Sequence, residues 1–359
     1  MKKTLKILFL IVNVAVVVLF LLSTLAGYHQ PVGRISVGVS LLSYGYVIFF
    51  ILNILCSVIW LIFGSRWFLL SIAAIAVRIS FVPLYFQIGT GGKTDEEAAR
   101  LTVMDYNLHH YCGPETDYNL QDTNATLFLK LVRQTEPDIL CLQEYAGDLK
   151  KTKVTDSLKA MGYTWCASAQ GKELKRPAGT VVFSKYRIIE ATGIENECKF
   201  YADIEALDDT LRLFCFHLDS YELTEKDKAE MDRISRGELD SVAKGGLLRK
   251  FATTIKRHGE EWCIIEPLLD GGPQAAIYCG DWNDTPASYF YQNMSRRAVD
   301  SYKECGSGFS TTYHGPFPAF RIDYVCHSDA LKATQYKRIR NNAISDHYPL
   351  LVTLEKADL

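Results

Sequence analysis

The first 94 residues contain no aspartate or glutamate, and only seven basic residues: Lys2, Lys3, Lys6, Arg34, Arg66, Arg78 and Lys93. Residues 7–26 are uncharged and apolar, with Asn13 as the one strongly polar side chain; 37–63 are again uncharged; 67–88 are apolar but for Arg78 and Pro83. A bilayer crossing needs about 20 predominantly apolar residues, and a soluble helix would show a polar face that these runs lack. Three transmembrane helices, at about 7–26, 37–63 and 67–88, are therefore expected within a membrane region of 1–94. The lipid bilayer is the expected partner of that region, and Arg78 must pair or reach toward headgroups.

All 41 acids lie from Asp95 onward against 32 of the 39 basic residues, so residues 95–359 carry a formal charge of −9. Such a domain does not gather polyanions by general attraction, which argues against a DNA-coating protein. The lysines at the N-terminus favour a cytoplasmic start. Three crossings then place 95–359 outside the cytoplasm. Cleavage of the first run after Thr24-Leu25-Ala26 leaves two crossings and the same final side. The ten cysteines pull the other way. Nine lie in the domain, no CxxC pair exists, and Cys141, Cys215, Cys279 and Cys326 sit in apolar runs where small buried hydrophobes are expected; an oxidising compartment usually shows an even, bridged set, and nine leaves at least one domain cysteine free. No cysteine pair has zinc-ligand spacing.

Beyond a joint at Gly89-Thr90-Gly91-Gly92, strand-like runs recur at irregular intervals (101–107, 138–142, 179–183, a hairpin over 200–217, 275–279, 321–326 and 350–354), with helical patterns at 123–136, 222–236 and 241–258. No strict βα repeat, dinucleotide fingerprint or phosphate-binding glycine loop is present. An α/β domain of two facing sheets with helices outside fits best. Polar residues stand where apolar runs end: Asn107, Glu144, His217, Asp281, Asn283, Asp323 and the pair Asp346-His347. Groups at strand ends can converge on one crevice, though each alone reads as a turn or cap.

Taken together, MDYNLHH (104–110), DILCLQE (138–144), GTVVFSKYRI (179–188), FHLDS (216–220), GDWNDTP (280–286), RIDYV (321–325) and SDHYPL (345–350) resemble the endonuclease/exonuclease/phosphatase superfamily, in family order and over about 100–355. Trp282 stands where the family usually has Phe. The resemblance implies a four-layer αββα sandwich (DNase I-like). It makes Asn107, Glu144 and Asp346 metal-associated, with Glu144 the principal carboxylate ligand. Asp281 and Asn283 handle the attacking water and the phosphate, Asp323 orients His347, and His217 meets phosphate oxygen. Members acting at abasic sites carry Tyr where His217 stands.

The residue types suit that chemistry. Carboxylates alone would repel a phosphate, so Glu144 and Asp346 call for a hard cation: Mg²⁺, with Mn²⁺ the alternative. Asp281 is favoured over His347 as the group activating water. The expected function is hydrolysis of a small-molecule or lipid-derived phosphate mono- or diester by in-line attack of water. A nuclease degrading extracytoplasmic DNA or RNA is the alternative, with GKELKRP (171–177) and Arg296-Arg297 as a basic rim. A noncatalytic binding module is the third reading.

Overall fold

The structure, a computed structural model, describes residues 3–89, 98–147, 149, 151–169, 179–235, 244–315, 320–340 and 343–357. Contacts divide these into two compact units: residues 3–85 with 244–260 and 284–294, and the remainder.

In the first unit, helix α1 (Lys3–Ser23) opens an unbroken apolar stretch, Lys3–Tyr28, that is long enough to cross a membrane. The second apolar run is not one helix: α2 (Arg34–Ser43) and α3 (Tyr46–Ile62) meet at 66°. Next to that break, the Ser43 hydroxyl bonds the Ser40 carbonyl (2.6 Å), competing with the helical backbone, and Gly45 follows. The third run is also bent, by 58°, where α4 (Phe68–Val77) stops at Arg78. Pro83 is accommodated in the first turn of the short helix Val82–Tyr85, where no helical N–H is needed. Asn13, the polar residue of the first run, is fully buried. Its amide donates to Ser71 (2.6 Å) and accepts from the Trp60 indole (2.9 Å), so one side chain ties α1 to α3 and α4. Ile7, Ile11, Val14 and Val18, all on one face of α1, remain about half exposed. Elsewhere in this unit, the Tyr44 hydroxyl donates to Asp284 (2.6 Å), whose other oxygen meets His258 Nδ1 (3.2 Å).

The second unit is built on two six-stranded sheets. In chain order the strands are β1 Arg100–Asn107, β2 Ile139–Tyr145, β3 Trp165–Ser168, β4 Gly179–Ser184, β5 Ile188–Ile194, β6 Asn196–Ala206, β7 Asp209–His217, β8 Ala275–Asp281, β9 Val299–Asp300, β10 Asp323–His327, β11 Leu331–Arg338 and β12 Leu350–Lys356. One sheet runs β11-β12-β1-β2-β4-β3, the other β9-β10-β8-β7-β6-β5. Each has one parallel pair at its middle, β1 with β2 and β7 with β8, among antiparallel neighbours. Alternation assigns the faces. Leu101 and Val103 point into the core shared with Leu213, Ile277 and Val325 of the other sheet. Met104 and Tyr106 point outward, packing with Phe128 and Val132 of α5 (Gln121–Thr135). This is the sandwich expected from the motifs. Strands β3, β9 and β11, and the helices Val154–Ala160 and Ser301–Cys305, add to the expected elements, as does Tyr289–Met294 in the first unit.

Cys141, Cys215, Cys279 and Cys326 are all buried, as expected. Cys279 and Cys326 are free, and Cys141 on β2 and Cys215 on β7 form a disulfide between the two sheets, 74 residues apart in the chain. Both face the same core layer, so a buried small hydrophobe and a bridged cysteine look alike in an apolar run. Closing a loop of that length constrains the unfolded chain by about 4 kcal/mol in the chain-entropy account. We expect the denaturant stability of this unit, followed by tryptophan fluorescence, to fall by about 2–4 kcal/mol when a phosphine reductant is present during unfolding. An unchanged midpoint would mean that the thiols are not bridged.

Candidate active site

The two parallel pairs end at the same edge of the sandwich, and their last residues carry the chemistry. Asn107 closes β1, His217 closes β7 and Asp281 closes β8, while Glu144 stands one residue before the end of β2. Antiparallel β10 starts there with Asp323, so Asp281 lies in register with His217 on one side and Asp323 on the other. Gly280 permits this: its φ is +135°, and a Cβ there would lie 1.8 Å from the Phe216 carbonyl. Behind it, buried Trp282 stacks on Tyr324 with ring centroids 4.3 Å apart. Arg321, wholly buried, grips Asp300 with two bonds (2.8 and 2.6 Å) and fixes the approach to Asp323.

Asp281 is the hub. One of its oxygens accepts from Asn107 Nδ2 (2.9 Å), the other from the Asn283 backbone N–H (2.8 Å). His347 Nε2 and His217 Nε2 lie 3.7 and 3.9 Å away. His347 Nδ1 sits 3.0 Å from both oxygens of Asp323. That arrangement puts the proton on Nδ1 and turns Nε2 toward Asp281 and Asp346 (3.9 Å). Asn107 Nδ2 also donates to Glu144 (3.2 Å), and its Oδ1 accepts from the His109 backbone. Asn283 Nδ2 donates to the Leu218 carbonyl (3.0 Å). All eight residues nominated by the motifs thus gather at one rim.

Three further residues join them. His110 Nε2 lies 3.5 Å from Glu144, and His109 Nδ1 lies 3.4 Å from Asp346. Ser345 accepts the His347 backbone N–H (3.1 Å) and donates to the Asn107 carbonyl (2.7 Å), locking the SDH turn to β1. The histidines follow Asn107 after Leu108 in the MDYNLHH motif, but their direction depends on backbone conformation. His109, His110 and Tyr111 all have positive φ (44°, 50° and 62°), as do Glu144 (49°) and Asn283 (48°). Such left-handed residues cost of order 1–3 kcal/mol each and concentrate at functional sites.

The electrostatics follow from this crowding. Burial pushes the Asp281 carboxyl up, helped by Asp323 and opposed by His347, His217 and Asn107, to about 6. Burial disfavours the His347 imidazolium, yet Asp323 and Asp281 outweigh it and hold its pKa well above the usual histidine range. For Glu144, burial acts upward, but His217, His110 and His109 bring it below the usual value. Among the described residues no lysine or arginine pairs with Glu144, Asp281, Asp323 or Asp346; only imidazoles do. His217 Nε2 is buried with no hydrogen-bond partner among the described residues. Ligand atoms of Asp281, Asp323 and His347 lie within 4.8 Å of one another. Clustered carboxylates with an orphaned imidazole nitrogen between them fit a divalent cation.

The sequence profile of the Endonuclease/Exonuclease/phosphatase family matches residues 106–347, two thirds of the chain and all of this rim. The chain belongs to that family. A second profile, of a domain of unknown function, matches residues 6–85. No curated protein matches the sequence. Solved structures similar to it include an endonuclease/exonuclease/phosphatase from Beutenbergia cavernae (15% identity, 72% of each chain, TM-score 0.49). The human Nocturnin catalytic domain with bound sulfate is similar too (16% identity, 74% of this chain and 96% of that one, TM-score 0.48). So is a family protein from Bacteroides vulgatus (16% identity, 72% and 99%, TM-score 0.46). Family membership and the clustered ligand groups support metal-dependent phosphoesterase or nuclease-type activity.

The raised pKa of Asp281 has a stability consequence. Its neutral form is the favoured one in the cation-free fold, so stability is lost as pH rises from the ordinary carboxylate value, 3.8, to about 6, and the loss is complete above that. In chelator, Asp281→Asn should therefore be more stable than the parent at pH 8, by about 1–3 kcal/mol. At pH 5 that advantage should shrink to about half, because the folded parent is protonated there while its unfolded chain is already ionised, and it should vanish only below the usual carboxylate range. A difference in melting free energy that is the same at both pH values would contradict this account of the carboxyl.

Proposed function

We propose that the protein is a membrane-anchored hydrolase that cleaves a small or lipid-derived phosphate ester by in-line attack of water. One observation carries this reading: four carboxylates converge on one rim whose only charge partners among the described residues are imidazoles. Glu144 and Asp346 hold the cation, Mg²⁺ or Mn²⁺, which when bound neutralises charge on the equatorial and leaving oxygens. Asn107 keeps Glu144 and Asp281 apart through its shared N–H₂; direct ligation through Oδ1 requires the amide to turn. Asp281, already an acceptor aimed into the rim, takes the proton of the attacking water. His347, held by Asp323, donates toward the phosphate from Nε2. His217 supplies a second donor, and Asn283 a third once its amide leaves the Leu218 carbonyl.

The anchor reading rests on α1 and on the two bent pairs serving as the second and third crossings. N-terminal lysines then place the domain, residues 95–359, outside the cytoplasm. The Cys141–Cys215 bridge suits that side, where disulfides persist. The substrate preference rests on charge. The domain is acidic overall, and Arg297 is committed to Asp270 (2.7 Å) and Glu266 (3.0 Å) rather than offered to a polyanion. The other basic segment, 171–177, lies outside the described residues.

The test is a side-by-side screen of the full-length protein in detergent against sphingomyelin-like diesters, inositol phosphates, RNA and plasmid DNA, with Mg²⁺ and then with chelator. Glu144→Gln should lower turnover at least ~10²-fold. Activity on the small or lipid esters should respond weakly to salt. DNA cleavage that collapses as salt rises would replace this reading with the nuclease one.

A further test addresses the histidine. His347→Asn should lower kcat/KM by ~10²–10⁴-fold in folded protein. Asp323→Asn should lower it less, and the double variant should lose less than the sum of the two free-energy costs, since both act as one unit. Full additivity would show that Asp323 does not act through His347.

A further inference from the structure

The end of the third apolar run, 67–88, continues into the second unit. Phe86 and Gln87 form a short strand paired antiparallel with Gly308 and Phe309, with Phe86 opposite Phe309. The two rings meet edge-on, their centroids 5.1 Å apart. Ile88 and Phe309 are 82% and 69% exposed, the most exposed large apolar side chains among the described residues of this unit, and Phe86 is 40% exposed. A single exposed hydrophobe needs no explanation, but three gathered where an apolar run ends mark a surface that meets something apolar.

From Phe309 the chain runs straight to the catalytic rim. The Phe309 carbonyl accepts from Arg338 Nη1 (2.8 Å), which also reaches the Thr311 carbonyl. Arg338 lies opposite Leu350 in the pairing of β11 with β12, three residues after His347. Thr312 is wholly buried, and its hydroxyl accepts the backbone N–H groups of Ile322 (3.0 Å) and Asp323 (3.1 Å). Tyr313 forms a backbone bridge with His347, and its ring stands edge-on to the imidazole, 5.1 Å between centroids. The His314 N–H donates to the Asp346 carbonyl (2.9 Å). One strap thus joins the exposed rings to the residues that hold Asp323, Asp346 and His347. From Phe309 to Tyr313 it spans at most about 14 Å, even fully extended. The headgroup layer of a bilayer is about 5–8 Å deep on each side, so a ring at its floor leaves the rim within reach of lipid phosphates.

We propose that Phe86, Ile88 and Phe309 insert at the bilayer surface and hold the rim at headgroup level, so that the substrate is a lipid phosphoester still seated in the membrane rather than a soluble phosphate ester. The occupant of this surface is lipid because the patch is continuous in the chain with an apolar run read as a crossing, and aromatic and aliphatic side chains of this kind settle at the boundary of headgroups and acyl chains. The inference rests on the reading of the protein as a membrane-anchored phosphoesterase, and selects between the two substrate sources that reading leaves. Thr312 and Tyr313 act as positioning residues, carrying the placement of Phe309 to Asp323 and His347.

The experiment uses the full-length protein in phosphatidylcholine nanodiscs that contain a minor fraction of phosphatidylglycerol. A photoreactive benzoylphenylalanine placed at Phe309 should give a lipid adduct on the peptide carrying residue 309, read by mass spectrometry. The same group at Trp165 should give none, because β3 pairs through Ser184 with Ile139 at the start of β2, the end of the sandwich away from the rim. No lipid adduct at 309, a protein adduct in its place, or equal lipid adducts at both positions would overturn the proposed surface. The second arm compares a long-chain sphingomyelin-like diester in vesicles with its short-chain analogue below its micelle concentration, both with Mg²⁺. Phe309→Ser should lower turnover of the vesicle-borne ester ~10-fold or more, as loss of one buried ring predicts, and that of the soluble ester less than about twofold. Phe309→Leu, which stays apolar, should match the parent on both, and melting curves establish that each variant is folded. Equal losses on the two esters in folded Phe309→Ser would show that Phe309 acts on the rim through the strap alone, against the proposal. A parent that hydrolyses neither ester would remove the phosphoesterase reading itself, while the adduct at 309 still decides the membrane surface.

Discussion

A carboxylate buried at Asp281 sets the terms for its surroundings. With about 1% of its surface exposed, it would impose a large desolvation penalty if it stood alone. The fold answers with neighbours fixed by strand register rather than by flexible side chains. His217 and Asp323 flank Asp281 because β7 and β10 pair with β8 at that row. Asn107 reaches it from the opposing sheet. The parallel pairs matter for the same reason: a parallel neighbour brings two C-terminal ends to one edge, and each sheet has one such pair there. The site is therefore a property of topology, and Gly280 and the Arg321–Asp300 clasp serve to hold that topology in register.

Much of this was legible in the sequence, for one physical reason. A strand buried on both faces reads as a continuous apolar run, so the polar residue that ends it is conspicuous. Asn107, Glu144, His217 and Asp281 each stand at or next to such an end. What stayed hidden depended on three-dimensional pairing or on dihedral angle. Cys141 and Cys215 belong to apolar runs 74 residues apart, and only the stacking of the sheets makes them neighbours. His109 and His110 lie inside a motif, but a left-handed backbone decides where they point. Strand β11, LKATQYKR, mixes polar and apolar residues at an edge of its sheet and gives no long hydrophobic signal. The bends in the second and third apolar runs were likewise partly hidden. Composition marks apolar length, while Ser43, Gly45 and Arg78 mark where that length is interrupted.

The chain uses polar residues in two opposite ways. In the first unit Asn13 is satisfied on both ends of its amide, by Ser71 and Trp60, and acts as a connector among apolar helices. At the rim of the second unit two polar groups are left incompletely satisfied. His217 Nε2 has no hydrogen-bond partner among the described residues, and neither has one oxygen of Asp105, which lies two residues before Asn107 on the same strand. A saturated network stabilises; an unsaturated one holds open a place for something with charge.

That contrast explains why strain and rigidity occur together at the rim. Left-handed residues at 109–111, 144 and 283 raise the energy of the folded chain, and the crowded acids raise it further. Such a site persists only if its foundation is stiff. One strand repeat below the catalytic row lie Cys141, Cys215 and Cys279, with the first two bridged between the sheets and all three wholly buried. The bridge joins β2, two residues before Gln143 and three before Glu144, to β7, two residues before His217. Movement of one sheet against the other would separate the imidazole of His217 from the carboxylate of Glu144. A covalent tie at this level opposes that movement without adding a polar atom to the core. The residues that destabilise the rim and the residues that clamp the sheets thus belong to one design, in which the tie below keeps the unsatisfied groups above at working distance.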